Sequence, residues 1–335
     1  MNIKFGENKT IEITGKRIRG FKVNLFMSSN TANTAQVQAD SVPDNISVKA
    51  ILYRKGQTMQ LFQDSLRTCH MALNIEKNVF DLCAVGGTIV ADTLLAAAPG
   101  VKEQRLWSYV LDMGSVYDLT ENGDRIEFTL NALTSGVSAA VDTAVSYFDI
   151  DGISAEGDEH FTRILVTHSV SANESRWTRS FHEGNVKKMI LVNTDATDVT
   201  SANALIDNVD ITGEGKTSFS TSLVHLDLLS KNREMYEVKA EFDKRLATMI
   251  VYEGHEGIDN ARFNVLFVKA NVNGGKNTLC ALVDTLDIDQ FHRADAKSNL
   301  HNLNTAVKKG LVSHASAMPH IAVHEAKKAK HTKKA

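Results

Sequence analysis

Strand signals recur along this chain at a spacing that leaves little room for any other element. "ISVKAILY" (46–53) and "TMQLF" (58–62) flank Arg54-Lys55-Gly56-Gln57, a short glycine-containing turn, and predict a hairpin. "SVYDL" and "RIEFTLNAL" flank Asn122-Gly123, a dipeptide suited to the positive φ of a type I′ turn. "RFNVLFVKANV" and "NTLCALVDTL" flank Asn273-Gly274-Gly275, a third signal of the same kind. "SFSTSLVHLDLL", "MYEVKAEFD" and "LATMIVYEG" add three closely spaced strands. Many short strands with frequent turns predict sandwiches or barrels, not alternating βαβ units.

Helices are expected only as insertions. "LFQDSLRTCHMALN" (61–74) reads as a short helix, and part of 79–98 as another. "TSANALIDNV" (200–209) opens on a capping hydroxyl before a brief apolar pattern. In 289–311, Leu300, Leu303 and Val307 fall at helical spacing and Gly310 is a reasonable stop.

The chain also echoes itself. Shifted by 140 positions, Phe21, Leu25, Ala32, Asn33 and Asn45 meet Phe161, Leu165, Ala172, Asn173 and Asn185, all identical. Ile46, Ile51 and Leu52 meet Val186, Leu191 and Val192. The shared plan is an apolar strand, a polar stretch, an Asn and a second apolar strand. A unit this long is no solenoid repeat and predicts two similar domains in tandem. Between the copies, "SYFDIDGISAEGDEH" (146–160) is acidic and reads as a solvated linker. Its Asp149, Asp151, Gly152 and Asp158 hint at calcium, but the third regularly spaced ligand and terminal Glu of a twelve-residue loop are missing.

The 335 residues suffice for one or two domains with their own cores. Cys69, Cys83 and Cys280 show neither paired nor ligand spacing, which argues against a disulfide scaffold and a zinc module. The N-terminal ten residues lack the apolar core of a signal peptide. The most apolar region, 79–100, is interrupted by Asp81, Gly86-Gly87 and Asp92 and reads as no membrane span. The net charge of −3 hides an asymmetry: residues 301–335 hold seven lysines against Glu325, so the rest of the chain is acidic and ill suited to general nucleic-acid binding.

No catalytic pattern survives inspection. "GEGKTS" (213–218) imitates a phosphate loop, but Asp210 stands where the first glycine belongs and a strand follows, so a β-turn explains the glycines better. His320 and His324 are four apart, yet Ile321 replaces the glutamate that a zinc protease needs as its base. His301, His314 and His331 join them in a polar, histidine-tolerant tail. No nucleophile-elbow motif occurs, and the adjacency of Cys69 and His70 in sequence does not make a catalytic pair in space. The reading is of a non-enzyme with no cofactor and no metal. The sharpest charge feature is "AKKAKHTKKA", carrying Lys327, Lys328, Lys330, Lys333 and Lys334. It has no aromatics to stack on bases and no arginines for bidentate readout, so its attraction is electrostatic.

A tandem of β-domains without reactive motifs resembles the double jelly-roll major capsid proteins of tailless icosahedral viruses, in particular membrane-containing bacteriophages of the corticovirus and finnlakevirus kind. The resemblance rests on 17–66, with its strand, variable turn, "NISVKAILYRKGQ" hairpin and short helix, and on "FTRILVTHSV…NVKKMILVN" as a second opening. It is one of plan and hydrophobic rhythm over most of 10–290. It implies an all-β fold of two tandem eight-stranded jelly-roll barrels, to which the residues themselves add short helical insertions and a helical, basic C-terminal segment. The expected division is 1–150, 151–290 and 291–335. It further implies a homotrimeric tile in the capsid shell of a virion assembled in host cytoplasm, with penton or spike proteins as neighbours and no specific nucleic acid. The five tail lysines would face anionic lipid of an internal membrane, at about 1 kcal/mol each. Phe21, Phe26, Leu52, Phe161 and Trp177 are candidate core or inter-barrel residues, and the insertion 63–105 a candidate for inter-trimer contacts. Two other readings stand beside it: a viral spike or vertex protein, and a carbohydrate-binding β-sandwich. The second is disfavoured by 7% aromatic residues and only two tryptophans, Trp107 and Trp177.

Overall fold

A computed structural model describes residues 2–29, 37–38, 45–74, 83–84, 93–94, 104–135, 137, 141–157, 159–171, 173–182, 185–193, 206–213, 216–222, 249–258, 261–267 and 277–286. The chain divides into a compact unit Met1–Thr285 and a second, Leu286–Ala335. Beyond Leu286 the second unit lies outside the described residues, and with it the expected helix at 289–311 and all five tail lysines.

Nineteen strands and one helix are described. The first eleven strands are β1 (Asn2–Lys4), β2 (Asn8–Thr14), β3 (Arg17–Ser28), β4 (Val37–Gln38), β5 (Ile46–Arg54), β6 (Gln57–Ser65), β7 (Cys83–Ala84), β8 (Thr93–Leu94), β9 (Gln104–Asp118), β10 (Arg125–Ala132) and β11 (Tyr147–Ser154). Helix α1 (Leu66–Leu73) follows β6. The remaining strands are β12 (Thr162–Val170), β13 (Arg176–Ser180), β14 (Asn185–Asn193), β15 (Ile206–Gly213), β16 (Lys216–Ser222), β17 (Met249–Ile258), β18 (Arg262–Phe267) and β19 (Asn277–Leu286).

The sheet orders are decisive. β12 to β19 form two antiparallel sheets, β12-β19-β14-β17 and β13-β18-β15-β16. Counted within that set, the strands run 1-8-3-6 and 2-7-4-5, the order of a jelly roll. Set aside the two-residue strands β4, β7 and β8, and the first half repeats it: β1-β11-β3-β9 and β2-β10-β5-β6. β7 extends the first of these sheets beyond β9, and β4 pairs with β8 separately. The fold is all-β, a double jelly roll.

Each roll has its own core. In β10 and β5, solvated on one face, burial alternates strictly: Ile126, Phe128, Leu130 and Ala132 point inward, as do Ile46, Val48, Ala50 and Leu52. Phe128 stacks on Phe21 with ring centroids 4.4 Å apart and meets Phe62 edge-on. In the second roll, Trp177 and Phe181 both pack on Phe263.

Several expectations need correction. The β5–β6 hairpin forms, with Lys55 and Gly56 both at positive φ in its turn. Asn122-Gly123, however, joins β9 to β10, which belong to different sheets and do not pair. Gly123 has φ 95° there, but the connection is a crossover. Likewise β18 and β19 lie in different sheets, and Asn273-Gly274-Gly275 lies outside the described residues. In a jelly roll only the fourth and fifth strands are both chain neighbours and sheet neighbours, so turn chemistry elsewhere cannot imply a hairpin. "GEGKTS" sits at the other such place: Gly213 pairs with Lys216 at the closed end of β15–β16. Of the expected helix at 200–209, residues 206–209 are strand. Within 79–98 the described pieces are β7 and β8. The helix expected over 61–74 begins only after β6 ends, at Ser65.

Ser65 Oγ caps α1 by accepting from the Thr68 N–H at 3.1 Å. Ser65→Ala is expected to cost about 1 kcal/mol, read as a shift in urea midpoint. Among the described residues no helix is long and apolar enough to cross a membrane.

Candidate functional site: the joint between the two rolls

In the second roll's sheet β12-β19-β14-β17, consecutive residues are buried over Thr162–Leu165 of β12, Met189–Leu191 of β14 and Leu279–Leu286 of β19, so these stretches are covered on both faces. In β19, Leu279, Ala281 and Val283 belong to that roll's own core, whereas Cys280 and Leu282 belong to the first roll's apolar cluster. In β14, Met189 and Leu191 face their own core and Ile190 the other. Leu165 of β12 joins Ile190 there. The period-two geometry of a strand sends neighbouring side chains to opposite cores, so the same strands supply a wall to one roll and a joint to the next.

The first roll meets this face with β6, β9 and α1. α1 bears Leu66, Cys69, Ala72 and Leu73, all buried in the shared cluster. It is fixed to β9 through the Val110 carbonyl, which lies 2.8 Å from His70 Nδ1 and accepts from Asn74 Nδ2 at 2.5 Å. Burial pushes the Cys69 thiol well above the usual thiol range, so it behaves as an apolar filler.

A buried ion pair anchors the joint. Arg163 donates through Nε to Asp284 Oδ1 at 2.6 Å and through Nη2 to Oδ2 at 2.8 Å, a bidentate fork. Both side chains are about 5% exposed or less. The Arg163 backbone N–H donates to the Tyr117 hydroxyl of β9 at 2.8 Å. Burial raises the Tyr117 phenol far beyond its ordinary value, so it remains a neutral acceptor. The guanidinium lies against Gly114 of β9: a Cβ there would stand 2.6 Å from Arg163 Cζ. Gly114 also has φ +74°. Gly114→Ala is therefore expected to cost about 2 kcal/mol or more, measured by chemical denaturation.

The connection between the rolls is clamped. Arg54 reaches Glu159 and Asp124 through its guanidinium and the Asp118 carbonyl at 2.9 Å. Ser115 Oγ accepts from the backbone N–H groups of His160 and Phe161 at 3.0 and 3.4 Å. The Ala155 N–H donates to the Arg17 carbonyl. Ala155, Glu159, His160 and Phe161, between β11 and β12, are thus each held to the first roll.

No family model matches this chain, and no curated protein does. Solved structures do. The chain is similar to the major capsid protein of STIV, Sulfolobus turreted icosahedral virus, at a TM-score of 0.52 and 14% identity, over 87% of this chain and 95% of that one. It is similar to a chain from the atomic structure of the same virus at 0.52 and 13%, over 84% and 87%. The major capsid protein P2 of bacteriophage PM2 aligns at only 0.32 and 9%, over 84% and 92%, and lends nothing to a narrower bacteriophage kinship. The two likenesses to the turreted virus establish the fold.

Of the residues singled out in sequence, Phe21 and Leu52 lie in the first core and Trp177 in the second. Phe161 sits beside the joint, its ring 5.3 Å from the Arg163 guanidinium. Phe26 is partly exposed on an outer sheet face, stacked on Tyr147. The stretch read as a linker or calcium loop is largely β11: Asp149 and Asp151 lie on its outward side, opposite Asn24 and Lys22 of β3. Among the described residues no group of three or more candidate ligands gathers. Most of 63–105 lies outside the described residues, but α1 within it serves the joint. In sequence Leu165 stood out only as a repeat position and Cys280 only as an unpaired cysteine, while Ile190, Leu282, Arg163 and Asp284 went unremarked. Their signal was the unbroken apolar runs "ILV", "MILV" and "LCALV", which mark strands covered on both faces.

Proposed function

We propose that this chain is a major capsid subunit, a non-enzymatic wall element of a tailless icosahedral virion. The observation that carries the reading is the duplicated jelly roll, two rolls of identical strand order locked by a buried joint, with nearly the whole chain superposable on a virus coat subunit of the same build. A fixed angle between two similar rolls gives a subunit with internal pseudo-twofold repetition. Three such copies make a six-roll tile that packs almost hexagonally and reuses a few contacts many times. On this reading the rolls are the expected 1–150 and 151–290 with the boundary moved past β11, which ends at Ser154 in the first roll, and 291–335 is a separate segment. Its lysines, Lys327 to Lys334, would meet anionic lipid beneath the shell, and penton or spike proteins would fill the vertices. Assembly would occur in host cytoplasm.

Size-exclusion chromatography with light scattering, followed by electron microscopy of the purified chain, tests the proposal. A trimer with six-lobed projections is expected. A strictly monomeric protein at all concentrations and ionic strengths would defeat it. Vesicle co-sedimentation tests the tail: binding to anionic but not neutral vesicles, lost on removal of residues 326–335, is the expected result.

A further inference from the structure

The clamp on the connection between the rolls is positioned by one exposed turn. Asp124 is the hub of that clamp, only 4% exposed. Its carboxylate accepts from Arg54 Nε at 3.1 Å and from the Lys55 N–H at 3.3 Å, and its carbonyl accepts from Thr14 Oγ1 at 3.2 Å. Arg54 in turn holds Glu159 and the Asp118 carbonyl. The Asp124 N–H donates to the Glu121 carbonyl at 3.1 Å, closing a turn around Asn122-Gly123. Both central residues are exposed. Gly123 has φ +95° while Asn122 does not enter the positive-φ region, which is the pattern of a type II turn. The Gly123 N–H meets no acceptor among the described residues, and a Cβ at 123 would meet nothing within 4 Å. An exposed asparagine amide, an uncommitted backbone nitrogen one residue on and open space around them are what intramolecular cyclisation requires. Glycine accepts either sign of φ, so the peptide plane between the two residues is free to rotate. Rotation about the Asn122 Cα–C bond carries the Gly123 nitrogen to the Asn122 side-chain carbonyl.

We infer that Asn122 is a site of spontaneous deamidation, and that isoaspartate formed there loosens the Arg54 clamp between the rolls. The Gly123 nitrogen gives up its proton and attacks Asn122 Cγ. A C–N bond forms, the Cγ–Nδ2 bond breaks, and ammonia leaves with a proton, so a cyclic imide remains. Water then opens the imide at either of its two C–N bonds. Cleavage between the Gly123 nitrogen and Cγ restores the main chain and leaves aspartate. Cleavage between that nitrogen and the backbone carbonyl carbon sends the main chain through Cβ and Cγ and leaves isoaspartate. Neither route needs an oxidant or any reactant but water. Aspartate at position 122 adds only an exposed charge, which alters stability little. Isoaspartate inserts an extra main-chain carbon into the turn that positions Asp124. The Glu121–Asp124 bond and the Asp124–Arg54 pair then no longer fit together, and Glu159 loses the geometry of its anchor.

The test is to incubate the full-length native chain at mildly alkaline pH and map its peptides, with isoaspartyl methyltransferase labelling. Isoaspartate is expected at position 122, forming faster as pH rises because the Gly123 nitrogen must lose its proton. It is expected to be absent from Asn122→Ser. Peptide mapping separates it from Asn273-Gly274, the same dipeptide outside the described residues. After equal incubation, the wild type is expected to unfold at a lower urea concentration than Asn122→Ser, whereas fresh Asn122→Asp should match fresh wild type. An Asn122 that stays intact in the native chain but converts in the urea-unfolded chain overturns the inference, since the folded turn would then hold the nitrogen away. Conversion that leaves the urea midpoint equal to that of Asn122→Ser overturns the link to the clamp.

Discussion

Arg163→Met is expected to destabilise the protein by about 3–5 kcal/mol, because it removes the bidentate guanidinium from the buried Asp284 carboxylate. The effect should far exceed that of Arg17→Met, which removes the 2.8 Å pair with Asp118 where both side chains are a third or more exposed. The double variant Arg163→Met/Asp284→Leu isolates the cause. Once both charges are gone, no buried carboxylate lacks its guanidinium, and most of the lost stability should return. Urea unfolding of the wild type, both single variants and the double variant closes the cycle. A double variant as unstable as Arg163→Met would show that the guanidinium acts by its bulk, filling the space against Gly114, and not by its charge.

The ion pair also bears on why the joint is specific. Apolar contacts among Leu165, Ile190, Cys280 and Leu282 supply adhesion but tolerate sliding, since such contacts are non-directional. The bidentate fork holds β12 to β19, and the Arg163 N–H bond to Tyr117 then fixes that sheet at one height along β9. With Arg54 holding Glu159 and Ser115 holding His160, the angle between rolls becomes a property of the chain itself. On the proposed capsid reading a wall tile would need such an angle, because an error in it is multiplied at every neighbour.

Much of this architecture was legible in the chain, though not its wiring. Strand segments were visible because β5 and β10 alternate so cleanly, and the duplication was visible as a repeated rhythm. The residue correspondence was not. A shift of 140 sets Phe21 against Phe161, yet Phe21 lies in the third strand of its roll and Phe161 immediately precedes the first strand of the other. The topological partner of β3 is β14, and β1 corresponds to β12. Any core strand resembles any other when alternation is the only signal, so the match registered strand character and not strand identity. The same ambiguity made Asn122-Gly123 look like a hairpin: a turn dipeptide fixes a local reversal, whereas the hydrogen-bond partner is chosen by the long-range packing of two sheets. The acidic look of 146–160 misled for a related reason. Asp149 and Asp151 are the outward half of a strand whose inward half, Phe148 and Ile150, is in the core. The joint itself was written in "LCALV" and "MILV", runs too continuous for strands with one wet face.

That last feature yields a test in which one residue of displacement changes the outcome. Leu282 and Val283 are neighbours in β19, both almost fully buried, and facing different cores. Leu282→Lys places a charge in the joint and leaves the second roll's interior intact. The two rolls should then unfold separately, and a single wild-type transition should split into two, with the first roll's own core nearly unaffected. Val283→Lys places the same charge inside the second roll, among Leu279, Ala281 and Phe263. An unpaired ammonium there costs several kcal/mol, of the order of the whole stability of a domain, so the second roll should fail to fold. Near-ultraviolet circular dichroism reports this directly, because Trp177 lies in the second core and Trp107 in the first. If both lysine variants lose the Trp177 signal equally, β19 has no joint-facing side, and the division of its side chains between two cores is wrong.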